Sequence, residues 1–360
     1  MEISTEVLRS DEQALMRLRT LYRKFGYSQY RMSRFEEYGL YAENKAFLTS
    51  GEIVTFTGAS GKLMALRPDV TLSIVKNTRD EPGLKKLYYN ENVYRSDGYE
   101  FKEHMQIGLE CIGEIDVYSM GEVLMLARRS LETLDDRFCI DVSHMGFING
   151  LLRSEELTPE QRAELLRRIS GKNTHELNQL CSLYGLSDAS RDRIVALASI
   201  YGSFSKTLAE LGRVSVNEET DAALRELEDI LAVLVKLGAD RDINLDFSIV
   251  NDLSYYSGVI FQGFIEGIPT KALSGGRYDK LLQKFGKRSG AVGFAVYLDL
   301  LERIYPQRLG PRVDVLLLYK DDTGAEELAD KVSSYINGGH SVCVQKSAPD
   351  DIKYKWLVEM

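Results

Sequence analysis

The stretch from Glu103 to Gly113 arranges chemistry-capable side chains at strand spacing. His104, Gln106, Gly108 and Glu110 alternate with Met105, Ile107, Leu109 and Cys111. A period of two sends the first set to one face and the second to the other. The apolar face is expected to pack on helices. The polar face offers a carboxylate, an amide and an imidazole to something wet or chemical. On alternation alone, an ordinary solvent-facing sheet is the reading to prefer.

Two other groupings imitate catalytic motifs. Gly58-Ala-Ser-Gly-Lys62 resembles a phosphate loop, but its glycine spacing is wrong and Leu63 stands where a Mg²⁺-binding hydroxyl belongs. A hairpin turn is the expectation there. Ser143 and His144 are a nucleophile and a base in sequence only, because neighbours on a strand point to opposite faces. The four cysteines (Cys111, Cys139, Cys181, Cys343) form no CxxC pair, and the four histidines show no ligand spacing. Free thiols are expected, with no structural zinc and no cofactor.

The elements that must position these groups follow from patterning. Ala14, Leu15, Leu18, Leu21, Tyr22 and Phe25 predict a helix over 10–25. Strand signals cover a hairpin at 53–66 and a run at 86–95. A helix is expected from Ser119, capped by Ser119 with Glu122, then a strand over 138–142. From 151 to 238 the chain is rich in Leu, Ala, Glu and Arg, and Thr158-Pro159-Glu160-Gln161 reads as a helix start. This segment is expected to be a helical insertion between two halves of a sheet domain, 1–150 and 239–308. Strands return at 243–250 and 258–264. Residues 274–284 read as a glycine-rich turn feeding a helix. A linker is expected at Gly310-Pro311, followed by a β-α-β piece over 311–360.

With 360 residues, 44% of them hydrophobic, the chain is long enough for two or three domains. It has no apolar run of membrane-spanning length, and its acidic, polar N-terminus lacks signal-peptide features. A cytoplasmic protein is expected. The net charge of −9 weakens a tRNA- or DNA-binding reading, since such proteins displace counterions with concentrated positive charge.

Four segments in order resemble the histidyl-tRNA synthetases and their paralogues within the class II aminoacyl-tRNA synthetases. They are Ala65-Leu-Arg-Pro-Asp-Val-Thr71, then Tyr94-Arg95 with Glu103-His-Met-Gln-Ile-Gly-Leu-Glu110, then Leu253-Ser-Tyr-Tyr-Ser-Gly-Val-Ile-Phe261, and Ser274-Gly-Gly-Arg-Tyr-Asp279 with Ala291-Val-Gly-Phe-Ala295. Each is weak alone; order and spacing make them specific over roughly residues 8–305. The resemblance implies an α+β fold, an antiparallel sheet flanked by helices, and implies that 311–360 is a truncated anticodon-binding-like segment. It also implies a histidine pocket. Asp69, Thr71 and Gln106 match positions that bind the ammonium. Glu110 and Tyr256 match positions around the imidazole, and Tyr255, Arg277 and Tyr278 complete the wall. Arg95 matches the arginine that holds the α-phosphate of ATP.

The departures from the family pattern concern ATP. Leu300 stands where an arginine clamps the γ-phosphate, and Tyr297 replaces a glycine; leucine cannot stabilise charge developing on phosphate. Arg303 lies three residues too late. Asn251 replaces a second arginine at the reaction centre, and Ser33 replaces the usual motif proline. Arg95 is then a vestigial phosphate ligand.

These losses point to the paralogue family that regulates ATP phosphoribosyltransferase, the first enzyme of histidine biosynthesis. The expectation is a chain without catalytic residues, a homodimer within a hetero-oligomer with the short-form catalytic subunit, with histidine as effector. The alternatives are a histidyl-tRNA synthetase with an unusual active site, a stand-alone histidine sensor, and an adenylate-forming ligase for another amino acid.

Overall fold

The computed structural model describes residues 10–48, 53–97, 100–250, 256–300, 313–349 and 352–360. The chain divides into two compact units, Met1–Ile304 and Tyr305–Met360.

The first unit opens with α1 (Ser10–Lys24), β1 (Ser28–Gln29), β2 (Phe35–Glu37), α2 (Tyr38–Ala42), β3 (Thr55–Thr57), β4 (Leu63–Leu66) and α3 (Thr71–Asn77). Then come β5 (Lys85–Asp97), β6 (Glu100–Gly113), α4 (Val117–Leu134) and β7 (Phe138–His144). A run of helices follows: α5 (Met145–Arg153), α6 (Pro159–Ser170), α7 (Thr174–Leu183) and α8 (Asp188–Ser199), with β8 (Tyr201–Ser203) before α9 (Phe204–Val214) and α10 (Glu218–Lys236). The chain returns through β9 (Ile243–Asp246), β10 (Val259–Ile265), β11 (Leu273–Arg277), α11 (Asp279–Lys284) and β12 (Gly290–Tyr297).

Nine strands form one sheet in the order β1-β5-β6-β12-β11-β10-β7-β9-β8. Only the β1–β5 and β7–β9 pairs are parallel. The α+β architecture is that expected, and the long antiparallel β5–β6 ribbon lies toward one edge of the sheet, with Tyr89 opposite Gly108 and Leu87 opposite Glu110.

Alternation in β6 holds as read. Ile107, Leu109 and Cys111 enter the core shared with α1 and α4, against Leu18, Tyr22, Val123, Leu124 and Leu131. Burying each such aliphatic side chain contributes roughly 1.5–3 kcal/mol. Helix α1 turns Ala14, Leu18 and Tyr22, spaced by four, to that core, with Asp11 and Glu12 in its first turn and Arg23 and Lys24 in its last, complementing the helix dipole.

Local details differ from the sequence reading. Helix α4 starts two residues earlier, capped by Asp116, whose carboxylate accepts the Ser119 amide at 2.7 Å. Glu122 is drawn away by Lys86 Nζ at 2.6 Å, so no Ser119–Glu122 box forms. At Thr158 the box forms with Gln161, and Pro159 is the first helical residue. The segment 151–238 is not wholly helical: β8 pairs antiparallel with β9 and forms an edge of the sheet. Strand β9 is shorter than expected because the Asp246 carboxylate accepts the Ser248 amide at 2.9 Å and turns the chain.

The glycines of Ser274–Arg277 lie in a strand, not a turn. Gly275 pairs with Phe261 on one side and Phe294 on the other. A Cβ on it would lie 2.4 Å from the Gly293 carbonyl, so crowding between strands requires glycine there. Gly58-to-Lys62 is the turn of the β3–β4 hairpin, closed by the Gly58 amide donating to the Lys62 carbonyl at 2.9 Å.

In the second unit, β13 (Val313–Leu318), α12 (Ala325–Asn337), β14 (Val342–Gln345) and β15 (Tyr354–Glu359) make a parallel sheet ordered β14-β13-β15. The β-α-β reading missed β15. That strand is an edge, with Tyr354, Trp356 and Leu357 exposed, so no burial pattern marked it. The expected linker at Gly310-Pro311 lies outside the described residues.

Candidate functional site

The polar face of the sheet opens into a cavity of about 230 Å³. Its floor is β6, β12 and β11, and its walls come from β5, the start of α3 and residues 47–48. The floor is open because two positions on this face are glycine: a Cβ at Gly108 would meet the Tyr89 hydroxyl and one at Gly293 the Glu110 carboxylate.

One part of the cavity is acidic. Glu110 is 2% exposed. Its carboxyl accepts the Thr71 hydroxyl at 2.7 Å and the Tyr278 hydroxyl. Burial pushes its pKa up to about 8, against the lowering effect of those two bonds and with a further rise from the Asp69 charge. Asp69 is also raised by burial, opposed by the Leu72 amide at 2.8 Å and by the Arg95 charge. Two carboxyls poised to ionise for a cationic or N–H-donating guest are the chemistry of amine and imidazole recognition.

The other part is basic. Arg95 reaches in from β5, its Nε donating to the Pro68 carbonyl at 3.3 Å, and Lys271 enters from the loop before β11. Beside them the Tyr297 hydroxyl is 2.7 Å from Ser274 Oγ, so a phenol occupies floor where the family pattern has glycine.

The structure brings Asp69, Thr71, Gln106, Glu110, Tyr256, Tyr278 and Arg95 to this one cavity. Arg277 is a correction. It follows Leu273 and Gly275 in the strand alternation, so it points to the other face. There its Nε donates to Asp279 at 2.8 Å and Nη1 lies 3.6 Å from Glu226 on α10. Tyr255, Asn251 and Arg303 lie outside the described residues. Leu300 packs against the main core. His104 pairs with Asp299 at 2.8 Å and is not a cavity residue.

Sequence reasoning missed Tyr89, Lys271 and Ser274 as cavity residues. Tyr89 was legible only through its register opposite Gly108. Lys271 is a lone cation in a loop and carries no pattern. It also missed the role of Arg67, which is fully buried. Its guanidinium binds Glu91 at 2.9 Å, the Asn92 carbonyl at 2.9 Å and the Ser33 carbonyl at 2.7 Å. It thereby anchors the turn that carries Asp69 and Thr71.

His144 is structural. Its Nδ1 accepts the Phe147 amide at 3.2 Å and caps α5. The proton therefore sits on Nε2, which faces Glu226 at 3.1 Å. Among the described residues the buried Ser143 hydroxyl has no hydrogen-bond partner. No three His, Cys, Asp or Glu side chains gather as metal ligands among the described residues, and no described helix is long and apolar enough to cross a membrane.

A profile of the histidyl-tRNA synthetase family matches residues 2–301. The ATP phosphoribosyltransferase regulatory subunit of Shouchella clausii is 31% identical over 342 residues, covering 92% of this chain and 86% of that protein. The crystal structure of an ATP phosphoribosyltransferase regulatory subunit/histidyl-tRNA synthetase from Bacillus halodurans is 25% identical, with TM-score 0.81, covering 100% of this chain and 96% of that one. A chain of the ATP phosphoribosyl transferase (HisG:HisZ) complex from Thermotoga maritima shares the fold at 18% identity and TM-score 0.63, covering 79% and 96%. An amino-acid-sized pocket on an antiparallel sheet, the matching segments and these likenesses agree: the chain belongs to the histidyl-tRNA synthetase family, on the branch of the ATP phosphoribosyltransferase regulatory subunits.

Proposed function

We propose that this chain is the non-catalytic regulatory subunit of ATP phosphoribosyltransferase, acting in the cytoplasm at the first step of histidine biosynthesis. It supports the activity of a short catalytic subunit and carries feedback inhibition by histidine. The protein assembles as a homodimer within that hetero-oligomer, and histidine occupies the cavity on the sheet. Asp69, Thr71 and Gln106 receive its ammonium; Glu110, Tyr256 and Tyr278 surround its imidazole.

The observation that carries this reading is an asymmetry within one site. The amino-acid groups converge on the cavity, while the γ-phosphate position is Leu300, packed on the core, and Tyr297 stands on the floor. A cavity of about 230 Å³ lies below the ~300–1,000 Å³ of sites for larger ligands. That size is in keeping with a guest as small as an amino acid. Inhibition then requires that histidine bind one assembly state more tightly than another.

The test is reconstitution. Short-form ATP phosphoribosyltransferase is assayed for phosphoribosyl-ATP with and without this chain, then with histidine. Activation reversed by histidine is the expected result. Absence of both activation and co-elution overturns it, and histidine-dependent pyrophosphate–ATP exchange by this chain alone would establish a synthetase instead.

A further inference from the structure

We infer that Asp279, which lies outside the cavity, is the positioning residue that aims the Tyr278 hydroxyl at Glu110. This rests on the proposal that the cavity holds an amino acid, and it adds a residue that acts on binding without touching the ligand.

Tyr278 is the single residue between β11, which ends at Arg277, and α11, which begins at Asp279. Its backbone, at φ −133° and ψ 46°, belongs to neither element. The direction of its side chain therefore depends on local bonds. Its amide donates to the Ala291 carbonyl at 2.8 Å, and Asp279 Oδ1 accepts the Ala291 amide at 3.0 Å. Both polar groups of Ala291 thus hold the Tyr278–Asp279 step against the start of β12. Asp279 Oδ2 accepts Arg277 Nε at 2.8 Å, and the Asp279 amide donates to Ser257 Oγ at 3.1 Å. The end of β11, the start of β12 and the residues before β10 all meet at this one carboxylate and its amide.

The placement separates holding from binding. Tyr278 lines the cavity and Asp279 does not; Arg277, Asp279 and Gly290 line a different groove. Gly290 makes room for the acid, since a Cβ there would stand 2.9 Å from Asp279 Oδ1. The Tyr278 hydroxyl, which donates to Glu110, is the atom of that side chain farthest from its backbone. A small turn of the backbone at 278 displaces the hydroxyl most, and a hydrogen bond to a carboxylate weakens steeply as its geometry departs from linear. The competing role for Asp279 is to stabilise the first turn of α11, with no effect on the hydroxyl.

The test is a double-mutant cycle on the full-length chain, read as L-histidine affinity by calorimetry, with urea unfolding of each variant alongside. Asp279→Ala is expected to weaken binding about tenfold. In a Tyr278→Phe background, which has no hydroxyl to aim, the same substitution weakens it by at most about threefold. Gly290→Ala pushes the Asp279 carboxylate off Ala291 without altering a cavity residue, and it is expected to reproduce the loss; it carries the test should Asp279→Ala not fold. Native affinity in the folded variants overturns the positioning role. Equal losses with and without the Tyr278 hydroxyl overturn it as well and leave Asp279 a residue of the α11 turn, with the amino-acid pocket standing. No binding of histidine by the unaltered chain overturns the pocket reading, and this role with it.

Discussion

The Glu110 carboxylate lies so close over Gly293 that a Cβ there would stand 1.8 Å from Oε2. Glu110 and Gly293 face each other across the β6–β12 pair, and the absence of a side chain on one strand makes the place for the acid on the other. Gly293→Ala is therefore expected to abolish measurable histidine binding and to cost about 1–3 kcal/mol of stability through overpacking. Urea unfolding with calorimetry on the same sample checks both; a variant with native affinity would show that Glu110 is not held in this position.

Glu110→Gln keeps the volume and removes the charge. Histidine binding should weaken by about 1.5–3 kcal/mol, the range for a charge-assisted hydrogen bond. Unchanged affinity by calorimetry would place the effector elsewhere.

The raised pKa of Glu110 has two pH consequences. Its ordinary value is 4.5 and its native value about 8. Between these pH values the unfolded chain has lost a proton that the native chain keeps. The unfolded state binds fewer protons, so this group makes stability fall as pH rises from about 4.5 to 8, then level off. Glu110→Gln should flatten that part of the urea-midpoint profile. Conversely, a guest that donates to the carboxylate favours its ionised form. Histidine binding at pH 7 should then release protons, seen as a binding enthalpy that varies with buffer ionisation heat. Buffer-independent enthalpy in the native chain would contradict it.

Arg277 was read from the sequence as a pocket residue, yet it faces α10. Arg277→Met is expected to leave histidine affinity within about threefold and to cost roughly 1 kcal/mol of stability, since the partly exposed ion pairs with Asp279 and Glu226 are screened by solvent. A large loss of affinity at native stability would return Arg277 to the binding site.

Loss of the Asp116 cap provides a check on the fold. Asp116→Ala should destabilise the protein by about 1 kcal/mol, and Ser119→Ala by less, because alanine keeps the amide that Asp116 caps and loses only the hydroxyl bond to the same carboxylate. Thermal unfolding of the two variants decides the order.

Sequence by itself determined the parts of this protein that depend on periodicity and on order along the chain. The alternation from Glu103 to Gly113 set which residues of β6 face the core and which face the cavity, because strand geometry admits only two faces. The spacing of Ala14, Leu18 and Tyr22 set the buried stripe of α1, and Thr158-Pro159 set the start of α6 through its hydrogen bonds. The four ordered segments marked the family. Tertiary structure alone decided what required a neighbour distant in sequence. Gly275 belongs to a strand because β10 and β12 flank it on both sides. Arg277 leaves the pocket because that strand runs straight through the position where a turn was expected. Asp116 outranks Ser119 as a cap because Lys86 competes for Glu122. Lys271 and Arg95, 176 positions apart, come to line one cavity only once the sheet has formed. Placement of this kind leaves no periodic trace, since it depends on distance in space and not on separation along the backbone.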